Sequence, residues 1–215
     1  MPYDRSVHSD KDAELELARS LLTGSEDAFD EFVNAYRTKL FQYSFLMCGQ
    51  REDAEEVAQE TLLRVFQSVD QLRDPERLKS WVFRIAKNAC LMKRRKSVYA
   101  PAVELSLDQL HPRHGESEGA PFELADWSKL PDELASDEEA RSALTAAIEN
   151  LPDIYRSVIL LRDVEEMTTE EAGEILDISV DTVKQRLHRG RLALRRQLDF
   201  YLRNAGRDKD ERTTV

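Results

Sequence analysis

The sequence predicts an all-α protein made of two small helical domains that an acidic, flexible linker joins. Apolar residues recur at helical spacing through most of the chain, and no stretch shows a convincing strand pattern. The helical period fails over residues 97–138, where prolines, glycines and acidic residues accumulate. We therefore expect helical domains at 12–96 and 139–203, with flexible ends at 1–11 and 204–215.

Length and charge restrict the class of protein. The chain has 215 residues, 41% hydrophobic and 34% charged, which is enough for two small cores. A net charge of −11 argues against indiscriminate nucleic-acid binding unless the basic residues are segregated. We see no signal-peptide pattern and no apolar run of membrane-spanning length, so we expect a cytoplasmic protein without membrane insertion.

No pattern in the sequence indicates catalysis or a cofactor. Cys48 and Cys90 lie far apart and lack metal-ligand spacing, so we expect free, buried thiols and no metal. The four histidines are scattered, and no nucleophile–base set or phosphate-binding loop is present. We therefore expect a binding protein that uses no cofactor, rather than an enzyme.

In the first domain, residues 53–69 form the most regular amphipathic helix. We expect its apolar face to be buried, and this face comprises Ala54, Val57, Ala58, Thr61, Leu62, Val65 and Phe66. Leu63 falls on the opposite, polar face. An acidic face is usually solvated surface, but an exposed leucine within it indicates contact with another protein.

Residues 77–96 hold eight basic residues and no acidic one, with Trp81 and Phe83 among them. Positive charge beside aromatic rings is typical of surfaces that hold single-stranded nucleic acid, because the charge follows phosphates and the rings stack on bases. Alternatively, Trp81 and Phe83 are both ordinary core residues. We expect at least one of the two rings to be buried in the core. The linker that follows has ten acidic residues against Arg113 and Lys129.

Residues 168–198 predict a helix-turn-helix. Thr168 and Glu171 form a capping box at the first helix, and Ser179 can cap the second. Gly173 within the first helix indicates a close approach of the second helix near Val183. The second helix exposes basic residues, which we expect to contact the major groove and phosphates of duplex DNA, against the alternative of a solvated basic helix.

This order of blocks resembles bacterial sigma factors of the extracytoplasmic-function (ECF) group of the sigma-70 family. The resemblance rests on DAEEVAQETLLRVFQSV, SWVFRIAKNAC and LPDIYRSVILL followed by ISVDTVKQRLHRGRLALRRQL. It implies a sigma region 2-like domain and a sigma region 4-like domain. It also implies three partners: core RNA polymerase through its clamp helices and flap, promoter DNA as duplex and melted strand, and an anti-sigma factor.

The resemblance also implies three sets of site residues. Core polymerase would bind Asp53, Glu56, Gln59, Glu60, Leu63 and Arg64. The minus-10 element would be melted and bound by Lys79, Trp81, Phe83, Arg84, Lys87, Asn88, Arg94 and Arg95. The minus-35 element would be read by Thr182, Lys184, Gln185, Arg186, His188, Arg189 and Arg191.

Two other functions are compatible with parts of the sequence. A stand-alone helix-turn-helix regulator would use residues 168–198 but would leave the basic block at 77–96 and Leu63 without a role. An antagonist that copies sigma surfaces would be expected to have lost its basic faces, whereas this chain retains them.

Overall fold

The computed structural model describes residues 5–96 and 138–212, with side chains placed over 11–25, 27–94 and 141–199. Within these ranges the backbone forms helices and no strand, which confirms the predicted all-α class. The predicted linker lies outside the described residues apart from Glu138, and the predicted domain boundaries remain predictions.

The described N-terminal half, residues 5–96, contains four helices connected by short turns. These are α1 (Arg5–Leu22), α2 (Glu26–Cys48), α3 (Arg51–Ser68) and α4 (Leu78–Lys96), with 3-10 turns at Val69–Gln71 and Pro75–Arg77. α1 starts at Arg5, inside the segment predicted to be flexible up to residue 11, and that boundary remains a prediction. Gly24 ends this element with a φ of 74°, a left-handed conformation that suits glycine.

The core of this half is aromatic. Phe32, Tyr43 and Phe83 are fully buried, and the rings of Tyr43 and Phe83 meet edge to face with centroids 5.3 Å apart. Phe66 corrects a prediction, because its side chain is 59% exposed rather than buried. It lies near the end of α3, where the Phe29 ring meets it edge-on with ring centroids 4.8 Å apart.

The described C-terminal half, residues 138–212, contains four more helices. These are α5 (Glu138–Glu149), α6 (Asp153–Ile159), α7 (Thr169–Leu176) and α8 (Val180–Arg212), with a π turn at Leu160–Val164 after α6. α8 extends to Arg212, and the flexible tail predicted from residue 204 remains a prediction. Gly190 of α8 permits close packing on α6, since a Cβ there would lie 3.0 Å from Ile159 Cγ1.

The helix-turn-helix is confirmed at α7 and α8. Thr168 and Glu171 form both hydrogen bonds of the capping box, and Ser179 Oγ accepts the Thr182 N–H at 3.2 Å. A Cβ on Gly173 would lie 2.9 Å from the Ile178 carbonyl oxygen but 3.7 Å from Val183 Cγ2. The glycine therefore makes room mainly for the turn, and for the second helix only to a lesser extent.

The two halves pack directly on each other. The buried Arg156 side chain of α6 donates to the carbonyl oxygens of Ile148 and Leu151 in its own half, at 3.1 and 2.8 Å. Its Nη1 also donates to the Met47 carbonyl oxygen of α2 at 3.1 Å. Arg94 of α4 donates to the same oxygen at 2.9 Å, so the C-terminal end of α2 joins both halves.

Three further observations concern the described part of the chain. Cys48 and Cys90 are free thiols there, Cys90 buried and Cys48 half-buried, as predicted except for the partial exposure of Cys48. The described residues contain no group of His, Cys, Asp and Glu side chains able to hold a metal ion. None of the described helices is both long enough and apolar enough to cross a lipid bilayer.

Candidate nucleic-acid and protein interfaces

The outer face of α3 consists of Asp53, Glu56, Gln59, Glu60, Leu63 and Arg64. It is turned away from the core because Ala54, Val57, Ala58, Thr61 and Val65 are the buried residues of this helix. Leu63 is 54% exposed, as expected, and the exposed Phe66 ring follows it one helical turn later. The sequence missed Phe66 as part of this surface because the apolar period assigned it to the core.

Charged residues of the outer face are partly paired. Lys93 of α4 lies 3.3 Å from the Asp53 carboxylate and 2.5 Å from that of Glu56, while Arg64 pairs with Glu60 at 2.7 Å. Because the Glu56 side chain is exposed and the Glu60 and Arg64 side chains are partly exposed, these pairs contribute little to stability. The outer face of α3 is therefore an exposed apolar patch, Leu63 with Phe66, surrounded by acidic side chains. A partner protein could contact this surface.

The basic face of α4 consists of Lys79, Trp81, Arg84, Lys87 and Asn88, with Arg94 towards its C-terminal end. Arg84 and Asn88 are exposed and Lys79, Trp81, Lys87 and Arg94 are half-buried. Phe83 does not belong to it, because its fully buried ring cannot stack on a base without disrupting the core. This corrects the prediction for Phe83, and the side chain of Arg95 lies outside the described residues.

The basic face of α4 is covered in part by the C-terminal half. Arg84 Nη2 donates to the Glu174 carbonyl oxygen of α7 at 3.1 Å, and Lys79 Nζ donates to the Glu165 carbonyl oxygen at 2.5 Å. Arg77, just before α4, pairs with the Glu174 carboxylate at 2.6 Å. Burial lowers the pKa of Lys87, while the nearby Asp177 carboxylate partly opposes this shift.

Glu165 is the most deeply placed acid at this junction. Its side chain is only 6% exposed and follows the π turn that leads into the helix-turn-helix. Burial raises the pKa of the Glu165 carboxyl, and Lys79 and Lys39 oppose that shift. No periodic pattern distinguishes this glutamate in the sequence, so it was not predicted.

The recognition face of α8 begins directly after the Ser179 cap. Lys184, Gln185, His188 and Arg189 are exposed, while Thr182 and Arg186 are half-buried. The buried Val183 packs this first turn against the core of the C-terminal half. The helix therefore presents one continuous polar and basic surface, as the helix-turn-helix pattern predicted.

Arg191 of α8 has its guanidinium paired within the protein. Its Nε and Nη2 donate to the two Asp163 oxygens at 3.0 and 2.6 Å. A two-bond pair with a carboxylate holds the guanidinium in a fixed plane. Arg191 therefore braces α8 against the π turn, and its predicted DNA contact would require this pair to break.

Comparison with protein families matches both halves of the chain. Residues 32–98 match the family Sigma-70 region 2, and residues 141–194 match the family Sigma-70, region 4. The ECF RNA polymerase sigma factor SigW of Bacillus subtilis is 34% identical over 179 residues, covering 81% of this chain and 91% of that protein. The ECF RNA polymerase sigma-E factor of Escherichia coli is 28% identical over 184 residues, covering 83% and 90%.

Two solved structures share the fold. CnrH, in complex with the cytosolic domain of CnrY, gives a TM-score of 0.60 at 23% identity, covering 87% of this chain and 97% of CnrH. The sigma factor RpoE, in complex with the anti-sigma factor NepR from Bartonella quintana, gives a TM-score of 0.58 at 20% identity. The match covers 81% of this chain and 98% of the other chain. At these identities the likeness concerns the fold alone.

Proposed function

Because the chain belongs to the ECF sigma factors of the sigma-70 family, we propose that it binds core RNA polymerase and directs it to promoters, which it helps to open. The observation that carries the proposal is the presence, in one chain, of two basic helical faces with different surroundings. The basic face of α4 carries Trp81 beside its cations, and the recognition face of α8 has helix-turn-helix geometry.

We assign the two faces to different forms of DNA. The recognition face of α8 would enter the major groove of the minus-35 element, where Lys184, Gln185 and Arg186 reach base edges and Arg189 reaches phosphates. The basic face of α4 would hold the minus-10 strand after melting, with Trp81 stacking on a base and Arg84 following the backbone. The buried Phe83 is excluded from this assignment.

The outer face of α3 would bind the clamp helices of core polymerase. Its exposed apolar residues, Leu63 and Phe66, would be covered in that complex, while Gln59 and Glu60 would form the polar rim. A stand-alone helix-turn-helix regulator would need neither this face nor the match to Sigma-70 region 2. That alternative is therefore set aside.

In this proposal the protein acts in the cytoplasm and contributes binding energy rather than catalytic chemistry. An anti-sigma factor would control it, as in the complex of RpoE with NepR. Such a factor would compete with core polymerase or promoter DNA for the faces described above.

Run-off transcription tests the proposal. Purified core polymerase is mixed with the full-length protein and promoter-containing fragments of its own genome, and transcripts with defined start sites are expected. Core polymerase alone is the control. Absence of protein-dependent initiation on every fragment would overturn the proposed function.

A further inference from the structure

Cys48 and Cys90, the two cysteines of the chain, meet where the C-terminal end of α2 packs on α4. Cys48 is the last residue of α2, and Cys90 lies in the second half of α4. Arg94, one helical turn after Cys90, donates to the carbonyl oxygen of Met47, the residue before Cys48, at 2.9 Å. Residues four apart share a helix face, so the two cysteines lie on facing surfaces. Their thiols are within hydrogen-bond reach of each other.

The two thiols differ in their access to solvent. Cys90 is fully buried, whereas Cys48 is half-buried. A small oxidant can therefore reach Cys48 from solvent but cannot reach Cys90 directly. Reversible oxidation of a cysteine depends on a second thiol that lies close enough to react with the first oxidation product. Cys90 has that position relative to Cys48.

The surroundings favour a thiolate at Cys48 over one at Cys90. The hydrogen bond from the Cys90 thiol lowers the pKa of the Cys48 thiol. The cations of Arg94 and Lys93 add to this shift in pKa, whereas burial and the Asp53 carboxylate oppose it. The same hydrogen bond, together with burial, raises the pKa of the Cys90 thiol. Because the thiolate is the reactive form, Cys48 is the nucleophile of the pair.

From this arrangement we infer that Cys48 and Cys90 form a dithiol site that hydrogen peroxide oxidises to a disulfide between α2 and α4. The Cys48 thiolate attacks one peroxide oxygen, so an S–O bond forms as the O–O bond breaks. A sulfenic acid remains on Cys48, and the released hydroxide takes up a proton to become water. The Cys90 sulfur then attacks the Cys48 sulfur, the S–S bond forms as the S–O bond breaks, and the leaving hydroxide takes the Cys90 proton as water. Two electrons pass from the thiols to the peroxide.

The disulfide would constrain the segment of chain that carries α3. This helix, Arg51–Ser68, lies between the two cysteines in the sequence, so the bond would close a loop that contains the whole of it. Disulfides in reducing compartments are usually transient, so the site would stay closed only while the oxidant is present. The chemistry needs neither polymerase nor DNA, and the inference does not depend on the proposed function.

The test treats the folded full-length protein with hydrogen peroxide, unfolds it with N-ethylmaleimide to label every remaining thiol, and measures the intact mass. We expect the wild-type chain to lose both labelling sites and become lighter by about 2 Da, and dithiothreitol to restore both sites. Cys90→Ala lacks the second thiol, so dimedone should trap its Cys48 sulfenic acid. In Cys48→Ser the buried Cys90 should keep its maleimide label and give no dimedone adduct.

Asn88→Cys/Cys90→Ala is the matched control for the position of the second thiol. It keeps two cysteines and almost the same loop length, but it moves one thiol to an exposed site on another face of α4. The folded control should give the dimedone adduct or disulfide-linked dimers instead of the internal disulfide. Unfolded in urea, the control and the wild-type chain should form the internal disulfide at similar rates. Circular dichroism before treatment checks that each variant is folded.

Three results would overturn the inference. These are retention of both labelling sites in peroxide-treated wild type, oxidation of Cys48 while Cys90 is still labelled, and an internal disulfide that forms equally fast in the folded control. Failure of run-off transcription would overturn the proposed function and leave this result unchanged, since neither polymerase nor DNA enters the measurement.

Discussion

Arg156 of α6 and Met47 of α2 are joined across the two halves by a hydrogen bond of 3.1 Å from the guanidinium to the carbonyl oxygen. The same guanidinium binds the carbonyl oxygens of Ile148, Glu149 and Leu151 at the end of α5 and in the following turn. One buried side chain thus completes two helix ends, and Arg94 shares the Met47 oxygen with it.

Arg156→Lys should destabilise the protein by about 2–4 kcal/mol. Lysine keeps the charge but cannot present the planar set of donors, so several buried carbonyl groups lose their partners. Chemical denaturation of the full chain measures the change. Arg51→Lys, in an exposed pair with Glu55, is the control and should change the free energy of unfolding by less than about 0.5 kcal/mol. Equal effects would contradict the structural role of Arg156.

The buried Glu165 carboxyl predicts a pH dependence. Its pKa in the packed structure is raised above the ordinary value of 4.5, so its favourable contribution is complete below that value. The contribution is lost as pH rises through the raised pKa, because the ionised carboxylate is then buried. Lys79, Lys39 and Glu166 are the charged groups that act on this carboxyl.

Glu165→Gln removes this titration. We expect the variant to gain stability relative to wild type as pH rises from about 4 to about 8, as measured by denaturation across that range. Glu170→Gln, on the exposed surface of α7, is the control for removing a carboxylate charge that is not buried. A constant difference between Glu165→Gln and wild type would show that the carboxyl has the same pKa in the folded and unfolded chains, which would contradict its raised pKa in the packed structure.

Arg186 tests base reading by α8. If its guanidinium makes a bidentate contact with a guanine, Arg186→Ala should cost about 1–3 kcal/mol of binding at one base position of the minus-35 element. Binding of holoenzyme to a set of single-base promoter variants measures this. An equal loss on every sequence would instead assign Arg186 to a phosphate.

Leu63 tests the outer face of α3. Because its side chain is 54% exposed, Leu63→Ala should change the free energy of unfolding by less than about 0.5 kcal/mol. The same change should weaken association with core polymerase, measured by competition against a labelled wild-type protein. A loss of stability near about 2 kcal/mol would place Leu63 in the core, and unchanged association would remove it from the interface.

Local patterns in the sequence predicted the local structure well. The capping box joins Thr168 to Glu171, and the Ser179 cap binds the Thr182 N–H. Both involve residues only three positions apart, so a short stretch of sequence is enough to predict them. Leu63 was correctly placed on the exposed side of α3 by helical period alone. Phe66 was not, because burial near the end of a helix depends on how far its neighbours extend.

The junction between the halves could not be predicted in the same way. Arg84 bonds to the carbonyl oxygen of Glu174, and any residue supplies such an oxygen, so no residue type marks the contact. Trp81 and Phe83 lie two positions apart, and the sequence could not decide which of them was core. Charge is the one feature of the sequence that agrees with this junction, since α7 has only acidic charges and residues 77–96 have only basic ones.

The π turn at Leu160–Val164 makes the chain length between α6 and α7 critical. Its wider turn closes with the Glu165 N–H donating to the Leu160 carbonyl oxygen at 2.9 Å, a separation of five residues. Deleting one residue here would favour an ordinary α-helical turn and rotate the next segment of the chain by about 100° about the helix axis. Glu165 would then leave Lys79, and α7 would no longer face α4. Insertions and deletions in this turn should therefore be tolerated less well than a substitution at its exposed Val164.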